Sequence, residues 1–249
     1  MVVFSWIVPG IVAPALGFEG ECPRSYTASM TSFQLSARAL LDTVQAAREL
    51  LGCTLVRCQG ASVRRARIVE TEAYLHDDPA SHSFRGLSRR NAAMFGPPGR
   101  AYVYRIHRAT CFNVVTGPQD LGEAVLIRAV EPLEGLELME LARRRGTVGS
   151  TAPIGLALTN GPGKLCQALG ISLADDGYDL LRGPVCASRN GRASWLALEP
   201  RPSRRRVPVE CATRIGISKA REAPLRFFIA DNPWVSVRRR SAPADAVSG

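Results

Sequence analysis

The sequence predicts a single domain that mixes helices and strands, and three observations support this prediction. The first patterned segment has apolar residues at helical spacing. Most of the later segments are short and either alternate between apolar and polar residues or are continuously apolar, as is typical of strands. The 249 residues are 46% hydrophobic, which is enough for one substantial core. No internal repeat or linker divides the chain. We expect the domain to span residues 30–237. Residues 1–29 would then be an extension, either disordered or the result of a start assigned too far upstream, and residues 238–249 a disordered tail.

The first predicted elements are one helix and two strands. Apolar side chains recur at helical spacing over residues 33–51, and Gly52 is well placed to end that helix. Residues 53–56 follow as a strand, and residues 66–75 alternate as a second strand. The polar segment 76–99 is long for a connection, and such connections are usually functional or mobile.

The middle of the chain predicts a hairpin and then a helix. Residues 101–106 and 111–115 form paired strands around a turn at Arg108, and a third strand covers residues 124–130. Pro132 would open a helix that runs to about Arg145 and ends at Gly146, because proline is favoured at the first helical position. The remaining predicted elements are a short helix at 165–169 after Gly161-Pro162-Gly163, and strands at 194–198, 207–211 and 225–230.

The charge balance indicates an acidic partner. The net charge is +10 from 32 basic and 22 acidic residues, and only Lys164 and Lys219 of the basic residues are lysines. Guanidinium groups match phosphate oxygens, so a nucleic acid is the first candidate. An arginine-rich codon usage would give the same composition.

Cysteine usage and hydropathy limit the class of protein. The seven cysteines are odd in number and show no Cys-x-x-Cys spacing, and there are only three histidines, so a structural zinc site is not expected. Cys53, Cys111 and Cys166 stand in apolar runs and are predicted to be buried thiols. No stretch reaches the roughly 18 apolar residues of a membrane span. We therefore expect a reduced, intracellular protein that is neither secreted nor a membrane protein.

The strand at 66–75 carries the first candidate site. Glu70, Glu72 and Tyr74 share one face of it, and His82 follows in the polar segment. Carboxylates in apolar surroundings can act as general bases. A solvated strand face with a rim tyrosine has the same spacing.

The segment 95–108 interleaves aromatic residues with arginines. This pattern suits a polyanion that also offers bases for stacking. A half-buried strand with core tyrosines and solvated arginines would look the same.

Asn113 and Arg128 are polar residues on otherwise apolar strands. A buried polar group needs a partner or a task. Local hydrogen bonding is the alternative explanation.

In their shared order, these segments resemble the alkyladenine (3-methyladenine) DNA glycosylase family. The resemblance is collinear over roughly residues 35–237. It rests on RIVETEAY (67–74), HSFRG (82–86), RN (90–91), MFGPPG (94–99), YVY (102–104), RAVEPLEG (128–135), GPGKLCQAL (161–169), RIGI (214–217) and PWVS (233–236).

The resemblance implies a fold and an activity. The fold would be of the α+β class, a single mixed domain with a curved, mainly antiparallel sheet and packed helices, like the C-terminal domain of formyltransferases. The activity would be monofunctional: the protein flips an alkylated or deaminated purine out of double-stranded DNA and hydrolyses its N-glycosidic bond. No metal, nucleotide or redox cofactor would be needed. The protein would act as a monomer, in the nucleoid of a bacterium or the nucleus of a eukaryote.

The resemblance also assigns roles to single residues. Glu72 matches the general base, and Arg128 matches the arginine beside the attacking water and the target phosphate. Tyr74, His82 and Tyr104 match the stacking pocket, Asn113 matches the residue that disfavours guanine, and Leu126 matches apolar lining. The expected DNA contacts are Arg105, His107, Arg108 and Lys164.

Two residues do not fit the family pattern in full. Glu70 has no matching role, so we interpret it as structural or as an electrostatic neighbour. His107 stands where animal members carry a tyrosine that fills the vacated stack, and its ring is smaller, so flipping by this protein would be weaker or more salt-dependent.

Two other functions stay open from the sequence. The arginine excess and His107 also fit a non-catalytic protein that binds damaged DNA. A hydrolase that uses Glu70 and Glu72 on a sugar substrate is a weaker alternative, because tryptophan is scarce and the chain is strongly basic.

Overall fold

The computed structural model describes residues 35–145, 155–182, 187–189, 192–202 and 207–236. Its strands are β1 (Thr54–Gln59), β2 (Ser62–Tyr74), β3 (Ala101–Ile106), β4 (Ala109–Thr116), β5 (Glu123–Glu134), β6 (Ala187–Arg189), β7 (Arg192–Glu199), β8 (Val209–Ala212) and β9 (Arg226–Ile229). Its α-helices are α1 (Thr43–Glu49), α2 (Leu136–Arg145) and α3 (Pro162–Leu169), and short 3-10 helices cover Ala37–Leu40, Ala92–Phe95, Gly155–Leu158 and Leu173–Asp175. The α+β prediction is confirmed.

The predicted first helix is divided into two. A 3-10 helix begins after Ser36, whose side chain accepts a hydrogen bond from the Ala39 N–H. Helix α1 begins after Asp42, whose carboxylate accepts one from the Gln45 N–H. Each cap satisfies free amide groups and starts a new helix. The continuous apolar spacing over residues 33–51 concealed this break.

Strand β2 is the central element of the sheet. It pairs with β5 along one edge, and with β1 and then β9 along the other. The order of the main sheet is β3-β4-β5-β2-β1-β7-β6, with β8 beside β9, and every strand pair in the described residues is antiparallel. The sheet curls, as the resemblance implied.

A β-bulge lies where β2 changes partners from β1 to β9. The pairing of β2 with β5 shifts on both sides of Glu70, and Arg128 falls at this shift without a paired residue on β2. Bulges bend a strand and re-aim side chains. This bulge is therefore the local reason that the two strands can bring Glu70, Glu72 and Arg128 together.

The prediction that Pro132 opens a helix is wrong. Strand β5 continues to Glu134, and Pro132 pairs with Ala66 beside a second register shift. Proline is tolerated in a strand at such an irregularity. The helix begins instead after Gly135, whose positive φ of 77° makes the turn. Gly146, the expected helix end, lies outside the described residues.

The core lies between the sheet and the helices. Helix α1 packs on β2 and β5, helix α3 packs on β4 and β5, and α2 packs on α3. A separate apolar cluster of Met94, Tyr102, Val115 and Ala124 lies where β3, β4 and β5 meet the polar segment. Three of its members, Met94, Tyr102 and Ala124, line the cavity described below.

Cys53, Cys111 and Cys166 are buried, as predicted, and all the described cysteines are free thiols. The described part of the chain contains no helix with the length and hydropathy of a membrane span. The extension at 1–29 and the tail at 238–249 lie outside the described residues.

Candidate active site

A cavity of about 520 Å³ opens at the end of β2. Its floor comes from β3, β4 and β5. One wall is the segment 79–82 and the other is the segment 215–219. The predicted residues Tyr74, His82, Tyr104, Asn113, Leu126 and Arg128 all line this cavity.

Glu72 lies directly behind the cavity wall and is completely buried. Its Oε1 accepts a hydrogen bond of 2.7 Å from the Ile215 N–H, and its Oε2 accepts one of 2.9 Å from the Tyr74 hydroxyl. Arg128 Nη1 lies 3.3 Å from Oε1. The alternative of a solvated strand face is therefore wrong, because Glu72 and Glu70 both have no exposed area.

Arg128 bridges the two carboxylates. Besides its contact with Glu72, its Nε lies 3.5 Å from Glu70 Oε1, and its Nη1 donates to the Ile215 carbonyl at 3.3 Å. Local hydrogen bonding alone does not account for this side chain, because it also faces the cavity. The bulge in the β2–β5 pairing gives it this position.

Glu70 is held by groups away from the cavity. Its Oε1 accepts a 2.9 Å hydrogen bond from Arg226, and its Oε2 accepts one of 2.7 Å from the Ser236 N–H. Glu70 does not line the cavity. This arrangement favours the structural interpretation of Glu70 and disfavours a hydrolase that needs both carboxylates at one substrate.

His82, Tyr102 and Tyr104 form an aromatic group on one side of the cavity. The His82 and Tyr104 rings are 4.3 Å apart and edge-on, and the Tyr102 ring lies 5.4 Å from that of Tyr104. His82 Nδ1 lies 2.8 Å from the Tyr102 hydroxyl. Burial lowers the pKa of His82 and raises the pKa of Tyr102, so near pH 7 the imidazole is neutral and the phenol keeps its proton.

Asn113 and Leu126 form part of the cavity floor. They are direct partners across the β4–β5 pairing, and both are buried. Asn113 Nδ2 donates a 2.9 Å hydrogen bond to the Tyr102 carbonyl, which fixes the orientation of the amide. The floor therefore offers one oriented polar group beside an apolar surface.

The predicted DNA contacts fall into two groups. Arg105, His107 and Arg108 are exposed at the tip of the β3–β4 hairpin, and Ile106 between them reaches the cavity. His107 has a φ of 50°, which is unusual for a residue with a side chain. Lys164 lies on a different element, at the start of α3, where it donates a 2.8 Å hydrogen bond to Asn160 Oδ1.

Three contributors to the site are not apparent from the sequence as site residues. Tyr102 was noted only as part of a motif, although its hydroxyl contacts His82. Ile215 supplies backbone groups to Glu72 and Arg128, and only the RIGI motif pointed to it. Arg214 opens the same motif, but its pairing with Asp78 had no sequence signal, because the two residues are 136 positions apart.

Comparison with known proteins gives consistent matches. A family model described as Methylpurine-DNA glycosylase (MPG) matches residues 37–233. A protein of Methanoculleus marisnigri is 48% identical over 198 residues, which cover 79% of this chain and 95% of the relative. A protein of Nitrosospira multiformis is 43% identical over 208 residues, 83% of this chain and 95% of the relative. Both relatives carry the provisional name of a 3-methyladenine DNA glycosylase.

Proposed function

Because the chain belongs to the methylpurine-DNA glycosylase family, we propose that it extrudes alkylated or deaminated purines from duplex DNA and hydrolyses their N-glycosidic bonds. Membership makes it a DNA N-glycosylase of base excision repair. The substrates and the extrusion step are our proposal. The observation that carries it is the placement of Glu72, a buried carboxylate immediately behind a cavity lined by aromatic rings.

Glu72 would act as the general base. A water oxygen attacks C1′ of the sugar, the electron pair of the glycosidic bond leaves with the purine, and Glu72 accepts the proton of the water. Its Oε2 has acceptor capacity left beside the Tyr74 hydroxyl. The carboxylate charge would also stabilise the cationic sugar of the transition state, as in glycoside hydrolysis. Arg128 would orient the water and contact the target phosphate.

The aromatic cavity would hold the extruded purine. Extrusion costs a few kcal/mol of stacking, and the cost is lower for damaged or mispaired bases. Stacking on Tyr74 and Tyr104 would recover part of it, with an additional cation–π contribution for alkylated bases that carry a positive charge. His82 would bind an edge of the base, and Asn113 would disfavour guanine. The His107 ring would fill the vacated position in the stack.

The same arrangement supports a proposal for the DNA-facing surface and one for the oligomeric state. Arg105 and Arg108 would contact phosphates on both sides of His107, and Lys164 would contact a phosphate at the start of α3. One chain carries every residue of the proposed site, so we propose that the protein acts as a monomer.

A base-release assay tests the proposed function. Duplexes with a single hypoxanthine or etheno-adenine, and bulk methylated DNA, are incubated with the protein and then cut with alkali at abasic sites. We expect release by the wild type and a loss of at least about 100-fold in Glu72→Gln. The matched control is Glu134→Gln on β5, a half-exposed glutamate outside the cavity.

Each outcome of the assay is informative. Substantial turnover by Glu72→Gln would remove Glu72 from the chemistry. Wild-type binding without release from any substrate would favour the non-catalytic damage-binding protein. Thermal unfolding and lesion binding of each variant show whether a loss of release reflects the chemistry or the fold.

A further inference from the structure

Arg214 makes several contacts behind the proposed site. Its buried guanidinium forms an ion pair with Asp78, and its Nη1 also donates to the Ala73 carbonyl at 3.0 Å. The same guanidinium lies 4.7 Å from the centre of the Tyr74 ring. Tyr74 lines the cavity and Arg214 does not. The ring of Tyr74 therefore separates this positive charge from the space proposed for the base.

The ion pair joins the two walls of the cavity. Asp78 immediately precedes the wall segment 79–82, and Arg214 immediately precedes the wall segment 215–219. The Ile215 N–H and carbonyl hold Glu72 and Arg128, so the pair also anchors the backbone that positions these two residues.

The buried charges around the cavity balance, and the exposed Lys219 adds one positive charge on the 215–219 wall. Six charged side chains there are each 7% exposed or less, and each belongs to one connected set of contacts. Three are carboxylates and three are guanidinium groups: Glu70, Glu72, Asp78, Arg128, Arg214 and Arg226. We refer to these six residues as the charge cluster. In an interior with little water, removal of one member leaves a net charge that interacts strongly with a nearby charged ligand.

We propose that Asp78 is a specificity-determining residue for purines that carry a positive charge. Asp78 neutralises the guanidinium behind Tyr74, so the other face of the ring can stack a cationic alkylated purine without repulsion. Without Asp78, the cluster has a net positive charge, which disfavours a cationic base and leaves a neutral base such as hypoxanthine largely unaffected. This inference rests on the proposed function.

The test compares Asp78→Asn with the wild type on two lesions in the same duplex sequence, near pH 6.5. One duplex contains 7-methylguanine, which is cationic, and the other contains hypoxanthine, which is neutral. Single-turnover kinetics give the maximal rate and the half-saturating protein concentration for each. The efficiency on each lesion is the maximal rate divided by the half-saturating concentration. We expect the efficiency on the charged lesion relative to the neutral one to fall about tenfold, mainly because the half-saturating concentration for the charged lesion rises. The matched control is Asp120→Asn, an exposed turn residue whose positive φ asparagine accepts equally well.

A second variant predicts a change of opposite sign. Arg214→Met leaves Asp78 with its negative charge, so the ratio of charged over neutral efficiency should rise. If Asp78→Asn and Arg214→Met lower the efficiency on both lesions by the same factor, Asp78 is merely structural and the inference fails. If the wild type releases neither base, the proposed function fails instead. Thermal unfolding identifies a variant that does not fold, and the other variant then decides the sign.

Discussion

The interior and the rim of the proposed site handle charge in opposite ways. Inside, every member of the charge cluster is buried and has a partner of opposite charge. At the rim, Arg105 and Arg108 are exposed at the hairpin tip, and in the described part of the chain neither has an ion-pair partner. The interior is organised before any ligand arrives, whereas the rim charges stay available for phosphates.

The amino-acid composition counts buried and exposed arginines together, although the two groups have different electrostatic effects. The net charge of +10 predicts attraction to nucleic acid, and it does so through exposed arginines. The buried arginines contribute to that count although carboxylates neutralise them. A residue's location therefore decides whether an arginine serves the chemistry or the encounter.

The largest effect should come from breaking the interior. Arg226→Met removes the 2.9 Å partner of Glu70 and leaves a buried carboxylate under-compensated. We expect a loss of about 3–5 kcal/mol in the free energy of unfolding. Urea denaturation measures this loss, and the exposed Arg105→Ala should stay within about 0.5 kcal/mol of the wild type.

A double variant identifies the cause of that loss. Arg226→Met with Glu70→Gln removes both charges, so it should recover much of the lost stability. If the double variant is as unstable as the single one, packing by the arginine side chain explains the effect and the charge argument is wrong.

The second effect concerns the rim. Arg105→Ala with Arg108→Ala should reduce the slope of log affinity against log salt by about 1.8, because each phosphate contact contributes about 0.9. Binding to undamaged duplex should weaken about tenfold at low salt, with unchanged unfolding free energy. Fluorescence anisotropy at several salt concentrations gives the slope. An unchanged slope would show that the tip does not contact phosphates.

The third effect sets stability against activity at one residue. His107→Gly should raise the unfolding free energy by up to about 1 kcal/mol, because glycine accepts the φ of 50° without strain. Lesion excision should fall, because the ring that we propose fills the stack is lost. His107→Ala is the control, since it removes the ring and keeps the strain. A His107→Gly variant with full excision would remove the wedge role.

The smallest effect is a pH dependence in the interior. The pKa of His82 is lowered by burial from its ordinary value of 6.5. As the pH falls below 6.5, His82 binds a proton in the unfolded chain before it does so in the folded chain, which favours unfolding. The contribution of His82 to stability is therefore present above pH 6.5 and is lost as the pH falls through the lowered pKa. The stability difference between wild type and His82→Gln should therefore shrink between pH 7.5 and pH 5.5. It should not change between pH 7.5 and pH 8.5.

Sequence reasoning succeeded where the signal was local or linear. Strand β3 has the bounds predicted for the first strand of the hairpin around Arg108, and the burial of Cys53, Cys111 and Cys166 follows from their apolar neighbours. The motif order also pointed to Glu72 and Arg128, which the structure places in contact.

Sequence reasoning failed where the outcome depended on distant partners. The bulge beside Glu70 exists because β2 leaves β1 and joins β9, a strand more than 150 positions later. The prediction of a helix start at Pro132 was wrong because the register shift that accommodates the proline depends on the pairing of two strands and is not visible in one segment. Asp78 and Arg214 likewise come into contact only in the folded chain.

Strand β9 has a consequence for the order of events during synthesis. Glu70 receives two of its partners from Arg226 and Ser236, and Glu72 receives one from Ile215, all near the end of the described chain. These long-range contacts form late and close large loops. A growing polypeptide on the ribosome therefore exposes the arginines of the hairpin tip well before it can complete the site. Under the proposed function, the chain gains affinity for nucleic acid first and the capacity to release a base only after the segment 215–236 has joined the fold.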